Sequence, residues 1–147
     1  MSVTLTLMPA ANARLAYQRF EQVFDSERWE RLEALDARPQ RPLWASTGVK
    51  DPSYDDTRYV VELVAPGSVN TMPEATLRAV ADHGVVRGET IRGGYREAQQ
   101  VMDNLRTVGV DMVDVFHALE ADGVSRFQAS WRELQTDVAD ALAKNHR

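Results

Sequence analysis

Cysteine is absent from the 147-residue sequence, which excludes disulfides, thiolate metal sites and cysteine nucleophiles. Lysine is nearly absent too: Lys50 and Lys144 are the whole complement, although lysine and arginine together number 17. Long apolar runs are also lacking. The N-terminal MSVTLTLMP has no basic segment and no apolar stretch of signal length, so neither a secretion signal nor a membrane span is expected. Nor is there an excess of positive charge. The net charge is −5, with arginines interleaved among 22 acidic residues, which argues against nucleic acid as a partner. What remains is 44% apolar and 27% charged residues, an ordinary globular composition at the length of one domain, with no internal repeat. A single domain over residues 1–147 and a cytoplasmic location are expected.

The periodicity predicts helices with a few short strands. Val3, Leu5 and Leu7 alternate with polar residues, which predicts a brief strand ended by Pro9. From Ala10, the spacing of Leu15, Phe20, Val23, Phe24, Trp29, Leu32 and Leu35 predicts one long amphipathic helix, or two broken near Asp25–Ser26. The prolines at 39 and 42 should close it. Leu43–Ser46 reads as a buried strand entering a polar loop, and a short helix follows Asp55–Thr57 and stops at Pro66–Gly67. Ser68–Met72 reads as a second strand, Pro73 to about Asp82 as a helix, and His83–Gly94, with four glycines, as a loop. Three further helices are predicted, over Tyr95 to about Val108, Met112 to about Ala121 and Val124 to about Lys144, with Gly109 and Gly123 as breaks.

Several residues bear on chemistry. Lys50 follows a predicted strand, with Ser46 at the strand's end and Gly48 between them, an arrangement that supplies charge, a hydroxyl and close backbone approach to a phosphate. The competing reading pairs Lys50 with Asp51, Asp55 or Asp56 on the surface. The spacing is not that of a P-loop. A Schiff-base role for Lys50 would need a desolvated amine, and the three aspartates favour the charged ammonium instead. His83, His117 and His146 have no partner at metal-ligand spacing, so no metal site is expected. His83 suits a helix C-terminus, and His117 a partly buried helix face. Arg87, Arg92 and Arg96 among Gly88, Gly93 and Gly94 read either as an anion-binding loop or as solvated cations. Trp29, Trp44 and Trp131 read as core anchors.

The stretch RPQRPLWASTGVKDP from Arg38 to Pro52 resembles the bacterial transaldolases, in particular their longer actinobacterial-type branch. Tyr59, ELVAPG from Glu62 to Gly67 and VNTMPE from Val69 to Glu74 continue the resemblance. ANARLAYQ from Ala11 to Gln18 is similar to the helix ahead of it, and Gly123–Phe127, Ala129–Trp131 and Leu134 are similar to the family's C-terminal helix. The resemblance runs from about Ala11 to the end, leaving residues 1–9 outside it.

This resemblance implies an α/β chain holding part of a (β/α)8, TIM-barrel-type fold: the sixth helix, the seventh and eighth β/α units and the C-terminal helices. Barrel sites lie at the C-terminal ends of strands, where Ser46 and Lys50 fall. By resemblance these two match the serine and the basic residue that hold the sugar phosphate, so within a complete barrel the phosphate reading prevails. The resemblance further implies a transferase of a dihydroxyacetone unit in the pentose phosphate pathway, working through a Schiff base without a cofactor. The family's Schiff-base lysine, catalytic aspartate and glutamate belong to earlier strands, and a whole barrel needs about 250 residues. The expectation is thus a truncated member with no catalytic residue of its own, inactive alone, and partnered by a complementing barrel half or a homo-oligomer. A noncatalytic oligomer built on exposed strand edges and helix faces is the alternative.

Overall fold

The structure is a computed structural model, and it describes residues 2–145. In chain order the elements are α1 (Ser2–Phe24), α2 (Glu27–Glu33), β1 (Leu43–Ala45), α3 (Arg58–Val61), β2 (Val69–Thr71), α4 (Glu74–His83), a 3-10 turn (Arg92–Gly94), α5 (Tyr95–Thr107) and α6 (Met112–Asn145). They fall into two compact units, Met1–Asn104 and Leu105–Arg147. None of the described helices is long and apolar enough to cross a membrane.

The strand expected at Val3–Leu7 is instead the first part of α1. Three alternating residues specify a strand weakly, Val3 and Leu7 also stand one helical turn apart, and the alanine-rich stretch that follows favours helix. Pro9 lies inside α1 and withholds the hydrogen bond it would have given one turn back. The break at Asp25–Ser26 occurs as expected. Ser26 caps α2, its hydroxyl accepting from the Trp29 amide at 3.3 Å, and an aromatic chain crosses the junction. Phe20 lies 4.9 Å from Phe24, and Phe24 meets Trp29 edge-on at 4.5 Å between ring centroids. α2 stops before the prolines, because Asp36 takes a left-handed conformation at φ 64°.

β1 and β2 are parallel, with Leu43 opposite Val69, Trp44 opposite Asn70 and Ala45 opposite Thr71. β1 is not buried as expected: Leu43 is 53% exposed and Ala45 is exposed. With one neighbouring strand and three residues, it has little to bury against. The core of the first unit gathers Tyr17 of α1, Leu63 and Ile91, which are 1%, 6% and 0% exposed, with Phe20, Trp44, Ala65 and Tyr95 packed around them. The Tyr17 hydroxyl donates to the Pro66 carbonyl at 2.9 Å, which seats the turn after α3 against α1. Thr90 links the long loop to the same region. Its amide donates to the Val64 carbonyl at 2.9 Å, and its hydroxyl receives the Val64 amide at 3.0 Å.

α4 ends at His83 with Gly84 behind it, as expected. The loop to Gly94 contains one short 3-10 turn, and the carboxylate of Glu89 ahead of it accepts from the Arg92 amide at 2.8 Å. α5 buries Ala98 and Met102. In the second unit the break expected at Gly123 does not occur, and α6 runs unbroken for 34 residues. One internal glycine costs about 1 kcal/mol relative to alanine, too little to end a helix with strong formers on both sides.

Candidate functional site

β1 ends at Ala45, and the next residue turns the chain sharply. Ser46 adopts φ 57°, a left-handed conformation unusual for a residue with a side chain. That turn sends residues 46–50 out of the strand as a loop. Thr47 is buried and anchors it, its hydroxyl donating to Asn70 Oδ1 of β2 at 2.7 Å. At Gly48 a side chain would crowd its neighbours, since a Cβ there would lie 3.0 Å from Pro73 Cγ and 3.4 Å from Thr76 Oγ1. The loop therefore rests on the start of α4, while Ser46 and Lys50 remain exposed.

Ser46 and Lys50 line one cleft of about 450 Å³, together with Ala13 of α1, Trp44 of β1, Tyr59 of α3 and Leu63. The wall is mostly apolar, and its polar residues are Ser46, Thr47, Lys50, Asp51, Tyr54 and Tyr59, so one ammonium and one carboxylate share the cleft. Arg58 braces the aromatic side. Its guanidinium stands 5.3 Å from the Tyr54 ring centroid and 6.0 Å from that of Tyr59, and its Nε bonds Glu62 at 3.1 Å.

The surface pairing considered for Lys50 is not formed, and the three aspartates have other partners. Asp51 accepts from the Ser53 amide at 2.9 Å and from its hydroxyl at 2.7 Å. Asp55 takes the Thr57 hydroxyl at 2.6 Å and its amide at 2.8 Å. These bonds hold both carboxyls below the ordinary aspartate range. Asp56 bonds His83 Nε2 at 2.8 Å, and Asp82 reaches Nδ1 at 3.2 Å. The bond to Asp56, then that to Asp82, pushes the imidazole above its ordinary value. Among the described residues Lys50 makes no ion pair, so its ammonium is available to a ligand.

Folding brings Asp55, Asp56 and His83 together, their ligand atoms within 4.8 Å of one another, a grouping that spacing along the chain does not reveal. All three side chains are exposed, and the contacts above join the histidine to Asp56 and tie Asp55 to Thr57. His117 is exposed rather than partly buried, and Trp131 is 60% exposed rather than a core anchor. His146 lies outside the described residues.

The arginines of the long loop do not converge on an anion site. Arg92 Nε bonds Glu21 Oε1 at 2.6 Å, and Arg96 reaches Glu97 at 3.1 Å. Arg87 borders a separate hollow with Arg14, Asp55 and Glu62. Arg92 also lies 5.9 Å from the Tyr17 ring, so it belongs to the support of the core. Three buried donors are without a hydrogen-bond partner among the described residues, Arg14 Nε being the first. The other two, Trp44 Nε1 and Asn70 Nδ2, which escaped the sequence reading, belong to residues opposite each other in register. The polar residue at the centre of a short strand, Asn70, was the available signal.

The sequence matches the family model described as Transaldolase/Fructose-6-phosphate aldolase over residues 4–138. The chain belongs to this family. It is 59% identical over 137 residues to a transaldolase of Acidothermus cellulolyticus, covering 93% of this chain and 37% of that protein. It is 60% identical over 133 residues to a transaldolase of Thermobifida fusca, covering 90% and 36%. A transaldolase of Mycolicibacterium smegmatis is 59% identical over 124 residues, 84% of this chain and 33% of its own length. The chain thus spans little more than a third of the curated relatives it matches. The transaldolase family is of TIM-barrel type, and the chain described here is rich in helix with two short parallel strands.

Proposed function

We propose that the loop from Ser46 to Lys50 is the phosphate-holding corner of a transaldolase-type barrel, and that the chain acts in sugar-phosphate metabolism of the pentose phosphate pathway in the cytosol. The observation that carries this reading is the convergence of the Ser46 hydroxyl and the Lys50 ammonium on one cleft at the C-terminal end of β1. Lys50 would supply the charge, and Ser46, held in a conformation that few side chains adopt, a hydroxyl on the same cleft. The apolar wall of Trp44, Tyr59 and Leu63 suits the less polar face of a sugar chain.

In this reading the chain is a partial barrel of one domain. The orphan donors of Trp44 and Asn70 support that view, because buried polar groups ordinarily find partners. Transfer of a dihydroxyacetone unit from fructose 6-phosphate to erythrose 4-phosphate requires an imine-forming lysine, an aspartate and a glutamate on other strands. A complementing barrel half would bring them, and the chain alone binds phosphate without turnover.

The test is a titration with inorganic phosphate followed by amide chemical shifts, on the wild type and Lys50→Ala, alongside turnover on the two sugar phosphates. Shifts confined to residues 46–50 and lost in Lys50→Ala, with no turnover, support the proposal. Equal shifts in both proteins would move the anion elsewhere, and turnover by the isolated chain would remove the inferred dependence on a companion.

A further inference from the structure

Asn70 stands at the centre of β2, between Val69 and Thr71, which pair with Leu43 and Ala45 of β1. Asparagine is a poor strand former. Its amide also carries a cost here, since Nδ2 is buried with no hydrogen-bond partner among the described residues. An apolar residue would avoid both penalties, so the use of this side chain lies in its oxygen. Oδ1 accepts the Thr47 hydroxyl at 2.7 Å, a bond that spans 23 positions of sequence, and Thr47 is buried.

The residue before Thr47 is the one in need of support. Ser46 holds φ 57°, a left-handed backbone that is unfavourable for any residue with a side chain and persists only where neighbouring contacts impose it. Those contacts fall on the next two residues. Thr47 is fastened to β2 through Asn70, and Gly48 lies against Pro73 and the buried Thr76 at the start of α4. With Thr47 released, Ser46 is free to relax to an extended backbone, which turns its hydroxyl away from the side of the cleft that holds Lys50.

We propose that Asn70, acting through the Thr47 hydroxyl, is a positioning residue that fixes the left-handed turn at Ser46 and so sets Ser46 and Lys50 on one cleft before a ligand arrives. The consequence for binding rests on the phosphate reading; the effect on the turn does not. Asn70 is not among the described residues that line the cleft, so its influence on a ligand there passes through Thr47. The gain is preorganisation. A loop ordered in the free protein spares the ligand the entropy of ordering it, worth roughly tenfold in affinity for each backbone residue so held.

The test titrates the full chain with inorganic phosphate, reads the Ser46 Cα and Cβ chemical shifts in the free protein as the signature of its left-handed backbone, and records urea midpoints. Thr47→Val and Asn70→Ala should each weaken phosphate binding by about tenfold and move the Ser46 carbons toward extended values. The double variant should bind no worse than the weaker single one, because both changes remove the same bond. Thr47→Ser returns the hydroxyl and should return both affinity and shifts. A purely structural role would lower the urea midpoint while leaving the Ser46 shifts and the affinity at their wild-type values, and that result would overturn the proposal, as would a Thr47→Ser variant that restores neither. Either Thr47→Val or Asn70→Ala suffices for the decision if the other fails to fold. If the wild type binds no phosphate, the phosphate reading fails and the Ser46 shifts decide alone: displaced in Asn70→Ala they uphold the positioning role, and unchanged they overturn it.

Discussion

Arg92 donates from Nε to Glu21 Oε1 at 2.6 Å, joining α1 to a loop 71 residues further along the chain. The Tyr95 hydroxyl bonds the other carboxylate oxygen, so Glu21 holds the end of the long loop and the start of α5 at once. Burial alone would raise the Glu21 carboxyl, but the bonds from Tyr95 and Arg92 outweigh it and hold the group below the ordinary glutamate range. Burial, reinforced by the bond to Glu21, pushes the Tyr95 phenol upward.

Glu21→Gln keeps an acceptor and removes the charge. A partly buried, charge-assisted pair of bonds of this kind contributes about 1–2 kcal/mol. Urea denaturation should show a lower midpoint with an unchanged slope.

The His83–Asp56 bridge gives a pH dependence of definite sign. The folded state raises the imidazole, so it binds a proton more readily than the unfolded chain does. The bridge's contribution is therefore complete below the unfolded value of about 6.5 and disappears as pH rises through the folded value. Comparing the unfolding midpoints of the wild type and Asp56→Asn should show a gap near pH 5.5 that closes by about pH 9.

Ser46 tests whether conformation and chemistry are separable. Its left-handed backbone costs about 1 kcal/mol, which glycine would avoid, partly offset by glycine's freedom in the unfolded chain. Ser46→Gly should leave thermal stability equal or slightly higher while weakening phosphate binding through the lost hydroxyl. Lower stability accompanied by unaltered binding would contradict both halves of that account.

Gly123→Ala should raise stability by about 1 kcal/mol, since an added Cβ meets nothing within 4 Å and the helix continues on both sides. A thermal melt of the full chain, followed at the helical circular dichroism band, checks this.

Local signals were legible where one residue determines the outcome. The Asp25–Ser26 break and the end of α4 at Gly84 follow from capping and stop residues that act on their immediate neighbours, whereas α3, expected to stop at Pro66–Gly67, already ends at Val61. The brief alternation at Val3–Leu7 and the glycine at 123 misled, because a two-residue period needs a partner strand to matter and one glycine is a small cost in a long helix. At the site, Ser46 and Lys50 were legible as a pair. The left-handed turn at Ser46 was not, since serine gives no warning of it. Neither reading of Arg92, anion ligand or solvated cation, includes its ion pair, because Glu21 is 71 residues away and only folding brings the two together.

The pairing of β1 with β2 also bears on how the molecule assembles. Leu43 and Val69 are partners separated by 26 positions, and joining the ends of so long a segment costs roughly 3 kcal/mol in chain entropy. Three-residue strands return few hydrogen bonds, each worth about 1 kcal/mol net, so the ladder cannot nucleate the fold. The closing force comes from Tyr17, Leu63 and Ile91, which draw α1, the turn after α3 and the long loop onto one point. The strands, and with them the loop that carries Ser46 and Lys50, therefore depend on that apolar cluster, against which Trp44 of β1 packs, for their hold on the rest of the unit.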